Sequence, residues 1–148
     1  MYIKNMKSII VFLFLFVFKI FSGDYTFDSR GNSVQEVLKF ADNSKYIHIT
    51  TNGWWTDSYG NFGKEVCYGK IESSDDEINL DVMCELTDQE KKTIKVSRKR
   101  NSLLGGGVGI NTYIETPDKY SFLSGKKCTY AVTFLNIDFF YKQKCIVK

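Results

Sequence analysis

The stretch Ile78-Asn79-Leu80-Asp81-Val82-Met83-Cys84-Glu85-Leu86 alternates without a break, with Ile, Leu, Val, Cys and Leu on one face and Asn, Asp, Met and Glu on the other. Successive side chains of an extended chain point to opposite sides, so this is a strand with one face toward a core and the other toward water. Ser73-Ser74-Asp75-Asp76-Glu77 before it reads as a polar, solvated turn. Sixteen residues separate Cys84 from Cys67, and setting the two opposite each other places Gly69 against Val82 and Ile71 against Leu80. Tyr68, Lys70 and Glu72 then meet Met83, Asp81 and Asn79. A slip of one residue would exchange the two faces. The clean sorting of apolar from polar residues therefore supports both the hairpin and a disulfide across it.

Cys128 and Cys145 repeat the sixteen-residue spacing. Opposed in the same way, they bring Tyr130 to Gln143, Val132 to Tyr141 and Phe134 to Phe139, and leave Leu135-Asn136-Ile137-Asp138 as a four-residue loop. Thr129, Ala131, Thr133, Lys142 and Lys144 make the other face, with Phe140 as its apolar exception. Each pair then acts as a cross-strand staple, contributing on the order of 3 kcal/mol by restricting the unfolded chain. Four cysteines allow three pairings, and Cys67–Cys145 with Cys84–Cys128 is the rival arrangement. With all four consumed, no thiol nucleophile remains. The close C-x-x-C spacing of a tetra-cysteine zinc site is also absent.

Working outward, Ser33-Val34-Gln35-Glu36 forms a capping box, and Val34, Val37, Leu38 and Ala41 follow at helical spacing. This predicts a short helix over 33–42. Residues 46–51, 54–58, 63–72 and 93–100 read as strands, and Val108, Ile110, Thr112 and Ile114 alternate in another. Pro117-Asp118 breaks the run before Cys128. The expected fold class is all-β with one short N-terminal helix. It is an antiparallel meander of six to eight strands, closed or nearly closed into a small barrel, because closure removes exposed sheet edges.

Two local patterns resemble known barrels. Gly53-Trp54-Trp55-Thr56-Asp57-Ser58-Tyr59-Gly60-Asn61 resembles the first strand of calycin-type barrels, with the G-x-W of lipocalins and a near match to the avidin form. Asp57 and Asn61 stand where avidins carry their biotin-contacting Asn and Ser, and the further tryptophans of an avidin box are missing. Biotin binding is therefore not expected. Residues 116–130, with Lys119-Tyr120, Leu123, Gly125 and Tyr130, resemble a hairpin of allene-oxide-cyclase and dirigent-like barrels, although Pro117-Asp118 replaces its glycines. Both resemblances imply a small antiparallel barrel, and the second carries an isomerase or cyclase as an alternative function.

At the N-terminus, Lys4 and Lys7 precede the apolar run of residues 9–18, and Ser22-Gly23 follows. This is the pattern of a secretory signal, shorter than the ~20 apolar residues of a membrane span. The expected organisation is a signal peptide over 1–22 and a single disulfide-stapled domain over 23–148, an uncleaved anchor being the alternative. No cysteine lies at the exit, so a lipoprotein is not expected. The leader holds three lysines and no acid, which reduces 20 basic residues to 17 against 17 acidic ones. The remaining chain is neutral, and the global case for nucleic acid or membrane steering goes with the leader. Export and the absence of Asn-x-Ser/Thr sequons point to a periplasmic or secreted protein.

Chemistry is sparse along the chain. His48, the only histidine, falls on the polar side of an alternating strand and is expected in solvent. Asp75, Asp76 and Glu77 lack the glycine and distal glutamate of a calcium loop. Gly105-Gly106-Gly107-Val108-Gly109 has no strand-to-helix context for phosphate and reads as a connection or bulge entering a strand. No catalytic residue, metal ligand or cofactor is assigned. Strand parity places Arg98 on the face of Ile94 and Val96. If the strand continues, Arg98 enters the barrel, where it must pair, stack on a ring such as Trp55 or meet an anionic ligand. If it ends near Ser97, the arginines are solvated. Trp54, Trp55, Tyr59, Phe62 and Tyr68 are either core or an aromatic pocket or platform. The candidate ligand-binding residues are Trp54, Trp55, Tyr59 and Arg98, and an internal Arg98 or Glu115 would favour a hollow binding barrel or a cyclase. The expected role is non-enzymatic binding of a small apolar ligand or a partner protein, with a cell-envelope interaction module as the other alternative.

Overall fold

The computed structural model describes residues 23–74, 77–103 and 106–147. The signal peptide expected over 1–22, Asp75 and Asp76 of the acidic turn, and Gly105 lie outside the described residues. The eight strands are β1 (Tyr25–Lys39), β2 (Lys45–Asp57), β3 (Phe62–Ser74), β4 (Glu77–Asp88), β5 (Thr93–Leu103), β6 (Gly107–Glu115), β7 (Lys127–Leu135) and β8 (Asp138–Cys145). Each pairs antiparallel with the next, and β8 returns to pair with β1, which closes the barrel. At eight strands the interior is just wide enough for side chains to fill.

Both stapled hairpins have the register expected from cysteine spacing. Cys67 faces Cys84, Gly69 faces Val82 and Ile71 faces Leu80. Tyr130 faces Gln143, Val132 faces Tyr141 and Phe134 faces Phe139. The disulfides are Cys67–Cys84 and Cys128–Cys145, which settles the pairing. The second loop is tighter than expected. Leu135 pairs with Asp138, so Asn136-Ile137 alone makes the turn, with Asn136 at a φ of 57°.

The helix expected over 33–42 does not form. Those residues continue β1, and Ser33 donates its hydroxyl to the Ile137 carbonyl at 3.1 Å instead of capping a helix. Tertiary pairing overrides local propensity here, because β1 is the strand that joins β2 to β8. Its inward set is Tyr25, Phe27, Ser29, Gly31 and Ser33, whereas Val34, Val37 and Leu38 are exposed. β6 inverts the usual sorting as well. Val108, Ile110 and Ile114 face solvent, while Gly109, Asn111 and Tyr113 face in. A Cβ on Gly107 would lie 3.0 Å from the Arg100 guanidinium, so the glycine run makes room for large inward side chains from the neighbouring strands.

One end of the barrel is sealed by a short 3₁₀ helix, Asp118–Leu123, whose Tyr120 and Leu123 are buried. Asp88, at the end of β4, anchors this plug. It accepts hydrogen bonds from the Tyr120 hydroxyl at 2.8 Å and the Lys119 ammonium at 2.9 Å. The backbone N–H groups of Glu90 and Lys92 donate to its other oxygen. Burial pushes the Asp88 carboxyl up, but the bonds from Lys119, Lys92, Tyr120 and Glu90 outweigh this and hold it below the ordinary carboxylate range. Because the folded pKa is depressed, Asp88 stabilises the fold fully above its unfolded value near ~4. That contribution is lost as pH falls through the lower folded value. Asp88→Asn is expected to cost ~1–3 kcal/mol at pH 7 in urea unfolding and to flatten the acid limb of the stability–pH curve. An unchanged acid limb would refute this role.

Candidate functional site

Inward-facing positions at mid-barrel bring together Ser29 from β1, Glu65 and Cys67 from β3, Arg98 from β5, Asn111 from β6 and Tyr141 from β8. β5 keeps its alternation past Ser97, so Arg98 and Arg100 are both buried and the solvated alternative fails. Arg98 Nη2 donates to Glu65 Oε2 at 2.8 Å, and Nη1 donates to Oε1 at 3.4 Å. The Ser29 hydroxyl donates to Glu65 Oε1 at 2.6 Å, and Arg98 Nε donates to Asn111 Oδ1 at 3.1 Å. The Nδ2 of Asn111 is buried and makes no hydrogen bond among the described residues. The guanidinium lies 4.1 Å from the Tyr141 ring and 5.9 Å from Phe27. The ring under Arg98 is therefore Tyr141 and not Trp55, which stacks one place further out, on Phe27 at 5.3 Å.

Burial opposes the charge on Arg98, but the Glu65 carboxylate more than compensates, and the guanidinium pKa is raised. Burial, with smaller contributions from Tyr113, Glu65 and Tyr130, carries the Tyr141 hydroxyl well above its ordinary value despite Arg98. The neighbouring Tyr113 hydroxyl is pushed up to about 12, again chiefly by burial. It accepts a hydrogen bond from Gln143, which in turn accepts one from Tyr141. These groups hold their protons at neutral pH. Above Arg98 the lumen keeps a cavity of about 40 Å³, walled by Ile49, Leu80, Val82, Val132, Phe134 and Phe139. One water needs roughly 10–15 Å³ on this measure, so the space suits a few waters.

The four candidate ligand residues are not brought to one site. Trp55 is 2% exposed in the lumen, and its indole N–H donates to the Lys64 carbonyl at 3.1 Å. Trp54, the next residue on β2, is 61% exposed on the outer wall. Tyr59 sits in the β2–β3 turn, edge-on to Tyr25 at 5.6 Å and tilted against Phe122. Glu115 lies outside the barrel, paired with Lys95 at 2.8 Å. His48 faces solvent as expected, 3.7 Å from Glu36 on the adjacent strand.

The outer wall is more deeply grooved than the lumen. Lys64, Trp54, Arg30 and Phe140 are consecutive cross-strand neighbours on β3, β2, β1 and β8. The Lys64 ammonium lies 4.8 Å from the Trp54 ring. A groove of about 350 Å³ runs across β1 between Trp54 and Phe140, bordered by Asp28, Thr56 and Lys142. Phe140, the apolar exception on the polar face of β8, was the sequence signal for this wall. Arg30 and Lys64 carried no such signal. Glu65 was readable by parity from Cys67, two residues on. No family model, curated protein or solved structure matches the chain.

Proposed function

We propose that the chain is a non-catalytic binding module that recognises its partner through the outer wall around Trp54 and Phe140. The observation that carries this reading is the pair of exposed rings, Trp54 and Phe140, that flank a groove of about 350 Å³ while the lumen keeps about 40 Å³. The interior Arg98 is engaged by Glu65, Asn111 and Tyr141, which counts against its serving as an anion receptor or a cyclase group. Two exposed rings flanking a concave strip are unusual on a surface with no recognition task. The two disulfides suit work in an oxidising compartment, with export as the proposed route.

Panels of oligosaccharides, peptides and apolar small molecules test the reading on three proteins. These are the wild type, Trp54→Ala/Phe140→Ala, and Thr51→Ile, which fills the lumen cavity that Thr51 lines. Binding is expected to fall at least tenfold in the wall variant and to persist in Thr51→Ile. The reverse pattern, a small apolar molecule retained in native mass spectrometry, or a wild type that captures nothing would overturn it.

A further inference from the structure

We infer that the groove between Trp54 and Phe140 takes an acidic oligosaccharide, its sugar faces on the two rings and its carboxylate or sulfate on Arg30. This rests on the reading that the outer wall is the binding surface. Arg30 lies between the rings in direct register with both, and all three side chains are exposed. The rings are two interstrand spacings apart, about 10 Å. That span lets alternate sugar rings of one chain lie on the two aromatics while the charge of the ring between them reaches the guanidinium.

The charge pattern of the wall is selective. Lys142 pairs with Asp28 at 4.0 Å, Lys144 with Asp24 at 2.6 Å and Lys70 with Glu72 at 2.8 Å. Among the described residues Arg30 makes no ion pair, and Lys64 lies over the Trp54 ring instead of on a carboxylate. Beside the two rings, the cations that no carboxylate holds are thus Arg30 and Lys64. A guanidinium presents a planar fork of donors that matches a carboxylate or a sulfate.

Two other occupants fit less well. An extended peptide that binds by strand addition needs a free sheet edge, and along the groove β1 is paired on both sides, with β2 and with β8. A nucleic acid strand uses stacking rings too, but it tracks a continuous cationic path. Asp28 and Asp24 interrupt such a path beside the groove.

Isothermal titration with trigalacturonate, its methyl ester, a sulfated trisaccharide and an oligothymidylate tests the inference on the folded chain. The acidic sugars are expected to bind, with the ester at least tenfold weaker. Arg30→Gln is expected to lose at least tenfold, and Trp54→Ala and Phe140→Ala at least fivefold each. Lys99→Gln, exposed on β5 across the barrel from β1, leaves binding unchanged, and circular dichroism confirms folding of every variant. Equal affinity for the ester, or no effect of Arg30→Gln, would overturn the acidic-sugar assignment and leave the wall reading standing. Binding untouched by both aromatic substitutions would overturn both. Failure of both acidic sugars to bind, or tighter binding of the oligothymidylate, would also sink the assignment.

Discussion

Arg98→Met is expected to lower the stability of the barrel by about 3–5 kcal/mol, because it leaves the Glu65 carboxylate buried with only the Ser29 hydroxyl beside it. Glu65→Leu is expected to cost a similar amount. It strands a guanidinium held by the Tyr141 ring and Asn111 alone. The double variant Glu65→Leu/Arg98→Met removes both charges from a site where each is almost wholly buried. It should fall within about 1 kcal/mol of the wild type or exceed it, since desolvating two ions costs about what their attraction returns. Urea unfolding midpoints at unchanged m-values measure all three. Losses that simply add in the double variant would show that the pair is not coupled. The same double variant separates scaffold from site, for binding at the outer wall should survive it.

How far such a network can be read from the sequence depends on strand parity. The cysteines supplied two fixed registers, and parity from Cys67 reaches Glu65 while parity from Val96 reaches Arg98. Two opposite charges on inward faces of strands separated by one strand are an ion pair in waiting. The sequence leaves that conclusion open, since Arg98-Lys99-Arg100 also reads as a solvated cationic run beyond a strand that ends near Ser97. β1 was lost for a different reason. Its inward face carries Ser29, Gly31 and Ser33, so hydrophobic alternation fades where the strand crosses the polar middle of the barrel. Val34, Val37 and Leu38 then imitate a helical stripe on residues that are exposed. The glycines of β1 and β2 make sense only after closure. Gly31 sits opposite Gly53, and a Cβ on Gly53 would come within 2.9 Å of the Phe139 ring and 3.2 Å of Glu65. The smallness of Gly53 is set by side chains arriving from β8 and β3, and that of Gly31 by the β2 backbone at Asn52, neither of which local sequence encodes. The wall groove has the same character, since Arg30, Trp54 and Phe140 become neighbours only when β8 returns to β1.

Adjacent tryptophans should behave in opposite ways. Trp55→Ala is expected to cost about 3–5 kcal/mol, the range for deleting a large buried aromatic. The indole is 2% exposed, stacks on Phe27 and donates to the Lys64 carbonyl, so its loss leaves a cavity and an unpaired acceptor. The cavity would open beside Phe27, Tyr141 and Arg98, which loosens the charged network from one side. Trp54→Ala removes a ring that is 61% exposed and touched by a lysine ammonium, so its cost should stay below about 1 kcal/mol. If the wall is the recognition surface, the two variants also exchange roles in binding. Trp54→Ala is stable and binds weakly, while Trp55→Ala is unstable and, where still folded at low temperature, binds as the wild type does. Urea unfolding and calorimetric titration on the same two proteins decide the matter. A Trp54→Ala protein that loses stability as heavily as Trp55→Ala would show that the exposed ring is structural, and the wall would then lose its main claim to be a site.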